Sequence, residues 1–303
     1  MRPRPARGCP WVRVPDRGTF QAAFNCLWCG RPHKTRSESD LEGYALLCSD
    51  CVGRAQENEF LRFRLRQGLQ ARTARDEDPE SQMRAYYAAR TPEYDDWYLR
   101  RGRYSHGTLS DMAWQADLDA ATMWLDGLPL GGEIVELAAG TGWWSPLVAQ
   151  KGELSIYDAV EQPLDIARER LLAHGLRAHI HVRDAWEAPD RQVDALFTGF
   201  WLSHVPRARL ADFLAICRRW LKPGGTFAFI DSRRDPDSGA ADHPPPADDR
   251  SVRRLDDGRE FVIPKVYYEP AELEAALLAS GFESAEVKTT SRFFLLGVAS
   301  AST

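Results

Sequence analysis

The sequence predicts an α/β fold preceded by a small cysteine-built module, and three observations carry that prediction. First, Ile134, Val135 and Leu137 form a short apolar run that breaks into Gly140-Thr141-Gly142, after which Pro146, Leu147 and Val148 open a helix near Ser145. A strand, a Gly-rich turn and a helix make the first unit of a nucleotide-binding α/β domain, because glycine lets the backbone turn sharply and approach a ligand with no Cβ in the way. Second, apolar runs of strand length alternate downstream with amphipathic stretches that stop at glycines. Third, Cys26-Leu27-Trp28-Cys29 and Cys48-Ser49-Asp50-Cys51 lie ahead of this region, two C-x₂-C pairs with 18 residues between them.

A chain of 303 residues has room for two domains. Residues 1–20, rich in Pro, Arg and Gly, are expected to be flexible; 21–75 form the cysteine module with a following helix, and 76–303 the α/β domain. Charge divides at the same place. Up to Arg75 there are 14 Lys and Arg against 7 Asp and Glu, about +7, and the remainder has 25 against 37, about −12. No run approaches the roughly 18 apolar residues of a membrane span. The basic start, Met1-Arg2-Pro3-Arg4, lacks the apolar stretch of a secretory signal, so a cytoplasmic protein with reduced thiols is expected.

The paired cysteines read as a Cys₄ zinc site, since each C-x₂-C turn lets two sulfurs reach one ion. With Cys26, Cys29, Cys48 and Cys51 all ligating, the site is closed and therefore structural. His33 is a competing ligand by position, and Cys9 and Cys217 read as ordinary thiols. In Glu57 to Gln70, Leu61, Leu65 and Leu69 recur at helical spacing, and Arg62, Arg64 and Arg66 make a solvated face. Ala71 to Ser81 is polar and reads as a linker.

The second domain opens with Met83 to His106, crowded with Tyr86, Tyr87, Tyr94, Trp97, Tyr98 and Tyr104. Asp111 to Leu125 is an amphipathic helix, and Leu154 to Tyr157 a strand ending at Asp158. A helix over Pro163–His174 stops at Gly175, strands follow at Ala178–Val182 and Asp194–Phe197, and a helix at Ala208–Leu221 closes on Pro223-Gly224-Gly225. Thr226–Ile230 is a buried strand. Asp231 to Arg250 has no core-forming run and is long for a loop, which marks function or disorder. Val252–Val262 suggests a hairpin turning at Asp256-Asp257-Gly258, Glu272–Ala279 a helix, and Glu286–Val298 the last strands.

Several ordered motifs in this domain resemble those of the class I S-adenosylmethionine-dependent methyltransferases. Glu136-Leu137-Ala138-Ala139-Gly140-Thr141-Gly142 is similar to that family's first motif, and Asp158-Ala159 to the acidic end of its second strand. Asp184-Ala185-Trp186 resembles the adenine-contacting segment, and Leu221-Lys222-Pro223-Gly224-Gly225 the turn before the fifth strand. The resemblance covers roughly Ser81 to the C-terminus. It implies a Rossmann-like seven-stranded sheet whose last strand runs antiparallel, S-adenosyl-L-methionine as cofactor, and methyl transfer to an O or N of a small-molecule acceptor.

It also implies roles. Asp158 accepts from both ribose hydroxyls, a charge-assisted pair. Backbone around Ala138, Gly140, Thr141 and Gly142 approaches the methionine end, and Glu136 holds the loop and reaches the cofactor's ammonium. Asp184, Ala185 and Trp186 flank adenine, although Asp184 also reads as a turn-forming aspartate. The aromatic segment from Tyr86 to Tyr104 is similar to the family's N-terminal cap, with Tyr94 at the acceptor pocket. Gly199-Phe200-Trp201-Leu202-Ser203-His204 follows the fourth strand and faces the transfer point, with Phe200 and Trp201 as walls. His204 is the candidate general base, since histidine titrates near neutrality, or else a positioning residue.

Two alternatives stand beside this reading. A zinc module on this fold resembles the 23S ribosomal RNA guanine-N1 methyltransferases, in which the basic N-terminal part would grip RNA phosphates. Against it, four cysteines 18 residues apart replace those enzymes' usual histidine-containing ligand set. A NAD-dependent oxidoreductase shares the Gly-x-Gly turn, but Ser145 stands where its third glycine is expected.

Overall fold

A computed structural model describes residues 22–26, 29–35, 48, 50–51, 79–243 and 249–303. The chain divides into two compact units, Met1–Gln70 and Ala71–Thr303. The expected flexible segment 1–20, the helix over 57–70 and linker positions 71–78 lie outside the described residues.

In the first unit, β1 (Ala22–Asn25) and β2 (Pro32–Thr35) form an antiparallel hairpin. Its turn carries the first cysteine pair. The Cys26 amide donates to the Arg31 carbonyl at 2.7 Å, that of Gly30 to Cys26 at 2.8 Å, and Gly30 takes a φ of 72° that a side chain would resist.

The second unit begins with α1 (Pro79–Arg90) and α2 (Thr108–Gly127). It continues through β3 (Glu133–Leu137), α3 (Ser145–Ala149), β4 (Glu153–Asp158), α4 (Glu161–Ala173), β5 (His179–Val182) and β6 (Val193–Gly199). Next come α5 (Leu210–Trp220), β7 (Leu221–Ser232), the hairpin β8 (Arg250–Arg254) and β9 (Glu260–Pro264), α6 (Pro270–Ala279), β10 (Phe282–Thr289) and β11 (Phe294–Ala301). Seven strands make one sheet in the order β10-β11-β7-β6-β3-β4-β5. β11 pairs antiparallel with both neighbours and the rest of the ladder is parallel, as the resemblance implies.

Both faces of this sheet are covered, and the period-two alternation of each strand shows how. Val135, Leu137, Tyr157, Leu196, Phe227 and Phe229 face one core with Phe213 and Trp220 of α5. Ile134, Ile156, Phe197, Ala228 and Ile230 face the other, against Trp114, Leu118 and Leu125 of α2. Trp114 is fully buried, and truncating such a side chain to alanine typically costs about 3–5 kcal/mol.

The observed β7 starts five residues before the expected strand. Val193 pairs with Leu221 and Ala195 with Thr226, so Lys222-Pro223-Gly224-Gly225 bulges out of the ladder. Lys222 closes the bulge by donating to Glu133 at 2.7 Å and Asp194 at 3.0 Å. The helix after the glycine turn is a single short turn and a half, and the chain between β7 and β8 is fastened rather than free where it is described. Arg292 pairs with Asp235 and Asp237, Arg103 with Asp242, and Trp97 donates to the Ser238 carbonyl at 2.6 Å. Residues 244–248 of this stretch lie outside the described residues. No helix among those described is long and apolar enough to cross a membrane.

Candidate active site and metal centre

Strand order reverses at β3, whose neighbours β4 and β6 lead the chain in opposite directions. The carboxyl ends of strands at such a point form a crevice, and a cleft of about 680 Å³ opens there. Its floor is the turn after β3. Ala138 has a φ of 52°, a left-handed conformation uncommon for a residue with a Cβ, and Gly140 follows at 56°. The Asp158 carboxylate at the end of β4 fixes this turn, accepting from the Gly140 amide at 2.9 Å and the Val160 amide at 2.8 Å. Burial pushes Asp158 up to about 6, against the pull of those two amides.

Of the residues singled out in the sequence, Ala138, Gly140, Asp158, Ala159, Asp184, Ala185, Trp186, Gly199, Phe200, Trp201, His204 and Tyr94 all line this cleft. Glu136, Thr141 and Gly142 do not. Glu136 is buried beneath the turn and accepts from the Ser145 hydroxyl at 2.6 Å; burial pushes its carboxyl up to about 7. Thr141 donates its hydroxyl to Asp95 at 2.7 Å, and Asp95 also pairs with Arg170 of α4. A Cβ on Gly142 would stand 2.7 Å from that of Ala167, and one on Gly140 would stand 2.9 Å from the Tyr94 hydroxyl. The first glycine therefore serves packing of the turn on α4, and the second keeps the cleft open beneath Tyr94. Asp184 forms the turn considered for it, its Oδ1 accepting from the Trp186 amide at 2.9 Å, and the residue also lines the cleft.

A second chamber of about 550 Å³ adjoins the first, and Tyr87, Tyr94, Phe200 and His204 line both. All six aromatic residues from Tyr86 to Tyr104 line it. Phe200, the first residue after β6, has a φ of 60° while its amide donates to the Ile230 carbonyl at 2.7 Å. A left-handed Phe is strained. Its ring is wedged between Trp97 at 4.7 Å and Phe294 at 5.3 Å, which holds it in the partition between chambers.

His204 stands in the same partition. A carbonyl can only accept, so Nδ1 donates to Pro264 at 2.8 Å, and Nε2 is left to accept from the Tyr87 hydroxyl at 2.7 Å. Burial, followed by the nearby Lys265, Arg253 and Arg90 charges, holds the imidazole well below its ordinary range.

The cations of the second chamber were not anticipated. Arg90 sits inside the aromatic segment and Lys265 interrupts the apolar run Phe261 to Tyr268, which is the one sequence signal that points to it. Asp95 and Trp143 were also missed; Trp143 stacks on Tyr98 with centroids 4.2 Å apart.

In the first unit, the sulfurs of Cys26, Cys29, Cys48 and Cys51 lie within 4.8 Å of one another, with Cys29 and Cys48 3.7 Å apart. Four sulfurs about 2.3 Å from a shared centre in a tetrahedron stand about 3.8 Å apart. The donor set therefore fits a zinc ion in both chemistry and spacing. Cys217, in the second unit, is buried and its thiol is pushed far up by burial, as expected of an inert core cysteine.

Comparison with known proteins agrees with this geometry. A family model described as a methyltransferase domain matches residues 134–225. The chain is similar to the ubiquinone/menaquinone biosynthesis C-methyltransferase UbiE of Azotobacter vinelandii, at 30% identity over 118 residues, 36% of this chain and 46% of that protein. It is likewise similar to UbiE of Neisseria meningitidis serogroup A, at 26% over 173 residues, 52% of this chain and 70% of that protein. The chain thus spans about half the length of the Azotobacter relative. Among solved structures, the DhpI-SAM-HEP complex is 30% identical with a TM-score of 0.58, covering 73% of this chain and 97% of that one. Magnesium protoporphyrin IX methyltransferase from Synechocystis, 16% identical with a TM-score of 0.50, covers 75% of this chain and 98% of its own and shares the fold.

Proposed function

The chain belongs to the class I S-adenosylmethionine-dependent methyltransferases, and from that premise we propose that it methylates an oxygen or nitrogen of a small-molecule acceptor. The observation that carries this reading is the second chamber. It is lined by α1, residues 238–240 with His243, and Arg253 of the β8–β9 hairpin, and shares a four-residue partition with the cleft at the strand ends. Such a space suits a small molecule better than a polymer.

The cleft fits the cofactor residue by residue. Asp158 keeps lone pairs for two ribose hydroxyls while its backbone bonds hold it in place. Trp186, Ala185 and Asp184 flank adenine, with Asp184 accepting from the exocyclic amine. The open turn at Ala138 and Gly140 admits the amino-acid tail, and Ala159 and Gly199 complete the walls. Glu136, beneath the turn, acts on the tail's ammonium through its hold on the loop. When bound, S-adenosylmethionine supplies a methyl group on a sulfonium that leaves readily.

What the chain adds is placement. Tyr94, Phe200 and Trp201 hold the acceptor against the methyl, and alignment of this kind can lower a barrier by roughly 7–11 kcal/mol. For His204 we propose the positioning role rather than that of a base. Its one lone pair is engaged by Tyr87, and the surrounding cations oppose the imidazolium that proton transfer would create.

We also propose that Cys26, Cys29, Cys48 and Cys51 hold a structural zinc ion, supported by their spacing. Labelled S-adenosylmethionine, offered with a panel of small acceptors and with ribosomal RNA, tests the main reading. Label in a small molecule supports it. Salt-sensitive RNA binding with label in RNA would replace it with the nucleic-acid reading.

A further inference from the structure

Three side chains of the second chamber are cations whose charge no described carboxylate cancels at close range. Arg90, at the end of α1, is 8% exposed. It sits 4.6 Å from the Tyr94 ring centroid and 5.5 Å from that of Tyr104. Its Nε has no hydrogen-bond partner, and a bond of 3.5 Å from Nη2 to the Tyr94 carbonyl is weak. Lys265, just after β9, is 7% exposed. Its ammonium donates to Ser203 Oγ at 2.8 Å and to Ser232 Oγ at 3.1 Å, which leaves the third N–H over. Arg253, on β8, donates to His243 Nδ1 at 3.1 Å. A guanidinium can only donate, so Nδ1 accepts and Nε2, which lies 3.1 Å from both the carbonyl and the amide of Arg254, carries the hydrogen; the ring is then a neutral acceptor that aims Arg253.

No Asp or Glu among the described residues lines this chamber. Among the described residues, Asp231 is the carboxylate whose field reaches Lys265 and partly offsets its charge, while its oxygens accept from the amides of Ser203 at 2.9 Å and Ser232 at 2.6 Å. Burying a charge is costly unless it is paired, and cation–π contacts return only part of that cost. Arg90 has no way out by losing its proton. Three cationic side chains from three separate elements, Arg90 and Lys265 buried and Arg253 half-buried, converge on one chamber, an arrangement suited to receiving an anion.

Deepening the small-molecule reading above, on which it rests, we infer that the acceptor carries an oxyanion head, a carboxylate or a phosphoryl group, seated in the second chamber between Arg90, Arg253 and Lys265. The head's oxygens take the free N–H groups of all three. The rest of the acceptor extends past Tyr87 and His204 toward Tyr94 and Phe200, the residues shared with the cofactor cleft.

The test uses the full chain saturated with S-adenosylhomocysteine and titrated calorimetrically at low ionic strength with inorganic phosphate, methylphosphonate, propionate and uncharged propionamide. The expected result is saturable binding of at least one anion, with propionamide at least tenfold weaker. Arg253→Gln and Lys265→Met should each weaken that anion at least tenfold while S-adenosylhomocysteine binds as before. A phosphoryl head shows as preference for phosphate or methylphosphonate, a carboxylate head as preference for propionate. Equal binding of propionamide, no anion binding, or anion binding indifferent to both substitutions would overturn the inference. Retained S-adenosylhomocysteine binding in those cases leaves the methyltransferase reading standing, whereas its absence from the unaltered protein sinks that reading instead.

Discussion

The Tyr87 hydroxyl donates to Nε2 of His204 across 2.7 Å, a helix-borne donor meeting a loop-borne acceptor at the partition between two chambers. If His204 positions Tyr87, then Tyr87→Phe and His204→Gln should have similar effects. Each is expected to lower kcat/KM about tenfold, near the 1.4 kcal/mol of one hydrogen bond, and to leave the shape of the pH–rate profile intact. A loss of 10²–10⁴-fold confined to His204→Gln, with the pH dependence flattened, would restore it as the base.

Asp158 offers the most direct check on the cofactor. Its replacement by alanine removes two charge-assisted acceptors for ribose and also frees the Gly140 amide. Affinity for S-adenosylhomocysteine, measured by calorimetry, should fall about 100-fold or more.

Glu136 makes a prediction about stability. Burial raises its pKa from 4.5 in the free side chain to about 7 in the folded protein. Folding therefore binds a proton between those values, and stability declines as pH rises from 4.5 to 7, then levels off. Glu136→Gln keeps an acceptor for Ser145 and cannot ionise. Its thermal unfolding should show a smaller decline across that window and, above pH 7, an advantage of at most about 3 kcal/mol over the unaltered protein. Identical pH dependence of the two melting temperatures would contradict the buried carboxyl.

Acceptor binding should weaken as pH rises through about 7. Burial lowers Lys265 to about 7; Asp231 opposes the shift, and Arg253 and Arg90 add to it. Tyr267 presents its ring 5.4 Å from the ammonium. Only the protonated lysine attracts an anion, so calorimetric affinity for the bound anion should drop above that point. In Lys265→Met the same titrations should lose this pH dependence.

The metal site predicts one zinc per chain by native mass spectrometry. Cys29→Ala should abolish it, and so should acid, because protonated thiols no longer ligate.

Much of this was legible beforehand. The glycine turn, Asp158 and the cysteine pairs are local signals, in which spacing along the chain is itself the geometry. The second chamber was less so, because it is assembled from positions far apart: Arg90 on a helix, Arg253 in a hairpin and Lys265 beyond it. Each arginine alone reads as a solvated charge, and only its place in the folded chamber distinguishes it. Lys222 to Gly225 was read as a simple turn, since a bulge that returns to the same ladder leaves no periodic trace. The aromatic cap announced itself by composition, but nothing in its spacing separated Tyr94, over Gly140, from Tyr104, at the far wall.

β11 is last among the described strands in chain order, yet it lies between β10 and β7 inside the sheet. Phe293 and Phe294, at its start, back up Trp114, and Phe294 also braces Phe200. During synthesis, then, the partition between the two chambers lacks its brace on the Phe294 side until the ribosome has passed these two rings. An emerging chain can shape its glycine turn early, but that wall is complete only once this last described strand has been made.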